Sequence, residues 1–126
     1  IAGLLAAERY DVPVLDYDIQ DNITNATRFL VLGRQCSPPT GNDRTSLMFS
    51  LVDRVGALYS ALVAFRRYRV NMTKIESRPS KRKAWEYIFF VDCEGHVEDR
   101  RLTKAIALLG EHCSYVKVLG SYPDLE

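Results

Sequence analysis

From Thr45 onward the apolar positions keep a rhythm that alternates between period two and period 3.6. Thr45 to Val52 places Leu47, Phe49 and Leu51 on one face and predicts a strand. Asp53-Arg54-Val55-Gly56 is a turn. Ala57 to Tyr68 then sets Leu58, Leu62 and Phe65 at helical spacing, with Ala61 beside them. Arg66, Arg67 and Arg69 close that helix with the charge its C-terminus favours. Val70 to Arg78 predicts a second strand, stopped by Pro79, and Ser80 to Lys83 a basic turn. Trp85 to Cys93 predicts a third strand loaded with aromatics, and Glu94-Gly95 turns the chain. Glu98 to His112 predicts a second helix with Leu102, Ile106, Leu109 and Cys113 on one stripe. Tyr115 to Tyr122 predicts a last strand, ended by Pro123. The order is βαββαβ. Two helices at that spacing cover one face of a four-stranded antiparallel sheet, an α+β fold of ferredoxin-like type.

The residues before Thr45 read differently. Ala2 to Tyr10 is Ala- and Leu-rich and predicts a helix, stopped by Asp11 and Pro13. Val12 to Leu15 is a short apolar stretch and predicts a brief strand. Asp16 to Asn25 is polar, and Thr27 to Gly33 is β-branched and apolar, which predicts another strand. Gln35 to Arg44 holds Ser37, Pro38, Pro39, Thr40, Gly41, Asn42 and Asp43, a linker by composition. The expected organisation is a short α/β segment over 1–34, a linker over 35–44 and the ferredoxin-like domain over 45–126. The run from Ile1 to Glu8 has no basic residues before it, so it does not read as a signal peptide. It reads as the middle of a helix, so the chain is expected to continue a longer protein.

Composition narrows the function classes. Of 126 residues, 47% are hydrophobic and 26% charged, enough for a packed core. The formal net charge is +1, so no global field drives the chain onto nucleic acid or anionic lipid. The basic clusters Arg66-Arg67-Tyr68-Arg69 and Arg78-Lys81-Arg82-Lys83 lack the sheet motif of the common RNA-binding module and read as solvated turns. Cys36, Cys93 and Cys113 are odd in number and widely spaced, which fits a reducing compartment and a cytoplasmic protein. No apolar run is long enough to span a bilayer. There is no P-loop, no dinucleotide fingerprint and no histidine at metal-ligand spacing, so neither cofactor nor metal is expected. His96, next to Gly95, reads as a turn residue, and His112 as a partner of a helix dipole.

Two places carry more specific chemistry. Gly56 at a helix start allows close approach to backbone, and the free amides of a first turn suit a carboxylate. Glu76-Ser77-Arg78-Pro79 sets an acid, a hydroxyl and a base side by side. A free amino acid needs that mixture: an acceptor for its ammonium and donors for its carboxylate. The same residues also fit a plain turn glycine and an exposed strand surface.

At these residues a family resemblance appears. Gly56-Ala57-Leu58-Tyr59 resembles the GALV motif of phenylalanine-sensing ACT domains, with Tyr59 in place of the usual valine. Glu76-Ser77-Arg78-Pro79 matches their ESRP motif, and Leu119-Gly120-Ser121-Tyr122-Pro123 resembles the closing strand of the same domain in prephenate dehydratases. Upstream, Ile19-Gln20-Asp21, Asn25 and Thr27-Arg28-Phe29 resemble the end of the prephenate dehydratase catalytic domain, whose signature is TRF. Phenylalanine hydroxylase shares a very similar Ile75-to-Ser80 stretch, but its ACT domain has no TRF segment before it.

The resemblance implies the C-terminal part of an enzyme that converts prephenate to phenylpyruvate, losing water and carbon dioxide. It places assistance to the departing hydroxyl on Thr27. Arg28 and Phe29 take a substrate-binding or structural role. The rest of the catalytic site lies before Ile1, so the chain alone is expected to be inert. The resemblance further implies L-phenylalanine as feedback effector, bound where Gly56, Ala57, Leu58 and Tyr59 of one subunit face Glu76, Ser77, Arg78 and Pro79 of another. The expected assembly is a homodimer or larger, with no nucleic-acid or membrane partner. Two alternatives stand beside this: a dehydratase acting on arogenate, and a ferredoxin-like interaction module with no small ligand.

Overall fold

The computed structural model describes residues 1–22, 24, 27–80 and 86–125. They cluster into two compact units, Ile1–Leu32 and Gly33–Glu126. In the first, helix α1 (Leu4–Tyr10) is the one regular element among the described residues. Asp11 ends it in the left-handed conformation, and Val12 N–H closes back on the Ala7 carbonyl at 3.0 Å. None of this unit's described residues is fully buried.

The strands expected over Val12–Leu15 and Thr27–Gly33 do not form; their described residues are extended or irregular and exposed. The cause is pairing. A β-branched run becomes a strand only beside a neighbouring strand that takes its N–H and C=O groups, and among the described residues no strand pairing reaches either run. Asn25, quoted with the upstream resemblance, lies outside the described residues. So do Lys81 to Lys83 of the basic turn and Trp85.

The second unit follows the expected order. It contains β1 (Asp43–Val52), α2 (Ala57–Arg67), β2 (Met72–Pro79), β3 (Glu86–Glu94), α3 (Arg100–His112) and β4 (Tyr115–Pro123). The sheet order is β2-β3-β1-β4, and every pairing is antiparallel. β1 and β3 are therefore interior, and β2 and β4 are edges. β1 begins at Asp43, inside the stretch expected to be linker, because Asp43 and Arg44 pair with Pro123 and Tyr122 of β4. Pro79 belongs to β2 and pairs with Tyr87, which an edge strand permits because a proline's missing N–H need not break an interior ladder.

The core lies between the sheet and the two long helices. Leu47, Phe49 and Leu51 of β1 are buried, as their alternation predicts, with Phe89, Val91 and Cys93 of β3 behind them. Phe49 and Phe89 stack with ring centroids 5.3 Å apart and planes inclined 19°. The buried face of α2 is smaller than expected. Ala57, Ala61, Ala64 and Phe65 are buried, while Leu58 and Leu62 pack only partly against them. On α3 the buried residues are Leu102, Ala105 and Leu109, and Ile106 and Cys113 are half-buried. An alanine stripe lets α2 approach the rest of the core closely, which excludes the leucines from the innermost layer.

Candidate functional site

The β1–α2 turn is built around Gly56, which adopts φ 78° and ψ 2°. An L side chain is strained there, so glycine is the natural choice. Ala57 N–H turns back to the Arg54 carbonyl at 3.2 Å, and Ser60 N–H makes the first helical bond to Gly56 at 3.0 Å. The amides of Leu58 and Tyr59 find no acceptor among the described residues, and Gly56 supplies no side-chain cap. The start of α2 is thus an open pair of donors with the positive end of a helix behind it. Tyr59 is 72% exposed beside it.

Glu76, Ser77, Arg78 and Pro79 lie on β2, paired with Phe90, Phe89, Ile88 and Tyr87. All four are exposed, and the outer edge of β2 has no strand partner among the described residues. Glu76 is 3.1 Å from the Lys74 ammonium and 4.0 Å from the Arg78 guanidinium. Such exposed pairs add little stability but set local charge. The four residues line an open depression of about 550 Å³.

Register relates the two segments. Leu51 pairs with Tyr87, and Tyr87 with Pro79, so the end of β1 that leads to Gly56 lies at the same end of the sheet as Pro79. β3 intervenes, which separates β1 from β2 by about 10 Å. Within one chain they form no shared cavity: none of Gly56 to Tyr59 lines the depression at β2.

The ACT domain family matches residues 45–109, which span β1 through most of α3. The chain belongs to the ACT domain family. It is 51% identical over 123 residues to the bifunctional chorismate mutase/prephenate dehydratase of Aquifex aeolicus (strain VF5), covering 98% of this chain and 34% of that protein. The chain therefore spans about a third of the length of that curated relative. Among solved structures it resembles prephenate dehydratase from Arthrobacter aurescens in complex with L-Phe, with a TM-score of 0.66 and 35% identity. That match covers 71% of this chain and 30% of the other. It also resembles the quorum-quenching acylase GqqA, with a TM-score of 0.68 and 32% identity, covering 74% of this chain and 48% of that one.

The upstream candidates lie outside the ACT unit. Thr27, Arg28 and Phe29 are exposed in the first unit, Phe29 at 85%. Among the described residues no three His, Cys, Asp or Glu side chains gather as a metal site requires, and no helix is long and apolar enough to cross a membrane.

His96 opens the turn before α3, as expected, its carbonyl accepting the Asp99 N–H at 2.9 Å. Sequence reasoning missed its burial: it is only 2% exposed, at the opposite end of the ACT sheet from Gly56. Its Nδ1 accepts the Glu98 N–H at 3.2 Å, so the ring proton sits on Nε2 and is donated to the Ser37 carbonyl at 3.0 Å. Asp99 accepts the His96 N–H at 2.8 Å. The spacing His96-x-x-Asp99 at a helix start was the one local signal of this arrangement. Around it, Gly95 N–H donates to the Asp43 carbonyl at 2.7 Å, and Thr45 Oγ1 donates to the Gly95 carbonyl at 2.6 Å.

Asp43 accepts Thr40 N–H at 2.8 Å, Thr40 Oγ1 at 2.7 Å and Gly41 N–H at 3.0 Å. Burial works to raise its carboxyl. The Thr40 side chain, the Thr40 and Gly41 amides and nearby His96 outweigh that and hold it below the ordinary 3.8. Two cysteines are shifted the other way. Burial, with Asp92 and Glu94 alongside, pushes the Cys93 thiol up to about 12, and burial pushes Cys113 up to about 11.

Proposed function

We propose that this chain is the regulatory end of a prephenate dehydratase and senses L-phenylalanine between two copies of its ACT domain. The observation that carries this reading is the pair of complementary half-sites at one end of the sheet. The start of α2 offers unpaired amides at Leu58 and Tyr59. The bare edge of β2 offers Glu76 and Arg78. The first suits a carboxylate, and the second suits an ammonium and its neighbours. They are too far apart to close on one ligand within a chain, so a second copy completes each. The likeness to a prephenate dehydratase complexed with L-Phe supports the choice of ligand.

In this reading the phenyl ring packs beside Leu58, and Tyr59 in place of valine sets the room available to it. Pairing of two copies also covers the open edge of β2, which a solitary domain leaves exposed. The whole protein turns prephenate into phenylpyruvate in the cytoplasm, with loss of water and carbon dioxide. Thr27 donates a hydrogen bond to the leaving hydroxyl, and Arg28 and Phe29 bind substrate or hold the backbone. The first unit, with no buried residue among those described, is the last part of that catalytic region. The chain by itself does not turn over prephenate.

A thermal melt with and without L-phenylalanine tests the sensing reading. A ligand at about 100 times its dissociation constant stabilises by roughly 2.7 kcal/mol, a shift of many degrees for a domain this small. No shift with any aromatic amino acid refutes it and favours an interaction module without a small ligand.

A further inference from the structure

We propose that His96 is the latch that makes the segment before β1 a moving part of the sensor, so that effector binding at one end of the sheet is felt at Ser37. The proposal rests on the L-phenylalanine reading for its stimulus, but the latch itself rests on geometry alone. By composition Gln35 to Arg44 should be slack. It is not. The Ser37 carbonyl is held by a ring nitrogen of His96, 59 residues away. The ring is buried, and its second nitrogen is engaged by Glu98 N–H, so its orientation is set from both sides.

The backbone of the next residue upstream, Gly95, is bonded to the first residue of β1 through the Asp43 carbonyl. β1 is an interior strand whose other end leads through the turn residues Asp53, Arg54 and Val55 to Gly56. Ten paired residues, roughly 33 Å of strand, thus run from the latch to the turn that carries the α2 donors. A buried histidine that makes a single long-range bond to a backbone carbonyl fits a tether better than a core-filling role. The core has no need of its polar atoms, and among the described residues the segment is otherwise anchored at its far end, where Asn42 and Asp124 exchange two hydrogen bonds.

Two substitutions separate the functions of the ring. His96→Asn keeps an acceptor for Glu98 N–H but is too short to reach Ser37. His96→Gln is long enough to donate to Ser37. Hydrogen exchange on the purified chain reads the outcome. In His96→Asn the amides from Gln35 to Gly41 should exchange about tenfold faster, while those of β1 and β3 keep their protection. His96→Gln should restore much of the loss. In the wild type, saturating L-phenylalanine should change exchange across the same segment. In His96→Asn that response should vanish while calorimetric affinity stays within about twofold.

Unchanged exchange in His96→Asn overturns the latch. An unresponsive segment in a wild-type chain that binds L-phenylalanine overturns its role in signalling. A wild-type chain that binds no aromatic amino acid removes the sensing reading instead, and the first comparison still judges the latch. If neither variant folds, the wild-type response to ligand decides alone.

Discussion

Replacing Gly56 by alanine separates the two things that residue does. A Cβ built on Gly56 meets nothing within 4 Å, so the substitution creates no clash inside the chain. Its whole cost to folding is conformational. At φ 78° an alanine sits in the left-handed region, which costs about 1–2 kcal/mol. For a domain of this size each kcal/mol lowers the melting temperature by about 4–8 °C. The same change at Gly110, inside α3 and equally free of contacts, should act with the opposite sign. There alanine improves helix propensity by about 0.5–1 kcal/mol. The pair is therefore an internal control: one added methyl group, two open sites, opposite shifts.

Binding gives the second readout. A methyl on Gly56 occupies open space at the turn that carries the Leu58 and Tyr59 amides, where the carboxylate is proposed to sit. L-phenylalanine affinity should fall at least about tenfold, or about 1.4 kcal/mol, while Gly110→Ala leaves it unchanged. Melting curves and calorimetric titration of the three proteins suffice. Equal stability of Gly56→Ala and wild type would contradict the left-handed backbone. A destabilised variant with full affinity would reduce Gly56 to a turn residue.

Two further outcomes follow from the shifted groups. The Asp43 carboxyl lies below its ordinary value in the folded chain, so between the two values the unfolded chain binds more protons. Its contribution is complete above pH 3.8 and is lost as the pH falls through the folded value. Urea titrations across the acid range should show a shallower slope in Asp43→Asn, and an unchanged slope would count against the Thr40–Gly41 cradle. For the thiols, an alkylating reagent at neutral pH should modify exposed Cys36 and spare Cys93, whose thiol is pushed up to about 12. Mass spectrometry showing early labelling of Cys93 in the native chain would mean that β3 opens far more readily than its burial allows.

Much of the fold could be read from the pattern because β1 and β3 present a buried face and their alternation reports it directly. The same pattern misjudged α2. Periodicity ranks large apolar residues first, whereas the innermost layer there is alanine, chosen by how closely the helix approaches. It also misread Thr27 to Gly33, since an apolar run carries no record of whether a neighbouring strand is present. The candidate half-sites were legible because each is contiguous, a glycine with its helix start and four residues on one strand. The latch was not. His96 meets a backbone carbonyl that any residue at position 37 would supply, so no side-chain pairing marks it.

The separation of Gly56 from the β2 edge by an intervening strand sets an arithmetic for mixed assemblies. In the proposed two-fold pair each pocket would take its amides from one chain and its strand from the other. Consider a pair in which one chain is damaged at Gly56 and the other at Arg78. One pocket then receives both defects, and the other receives none. Two chains that are each deaf to the effector as pure assemblies would regain one intact pocket when combined, a form of complementation closed to a sensor whose site lies within a single chain.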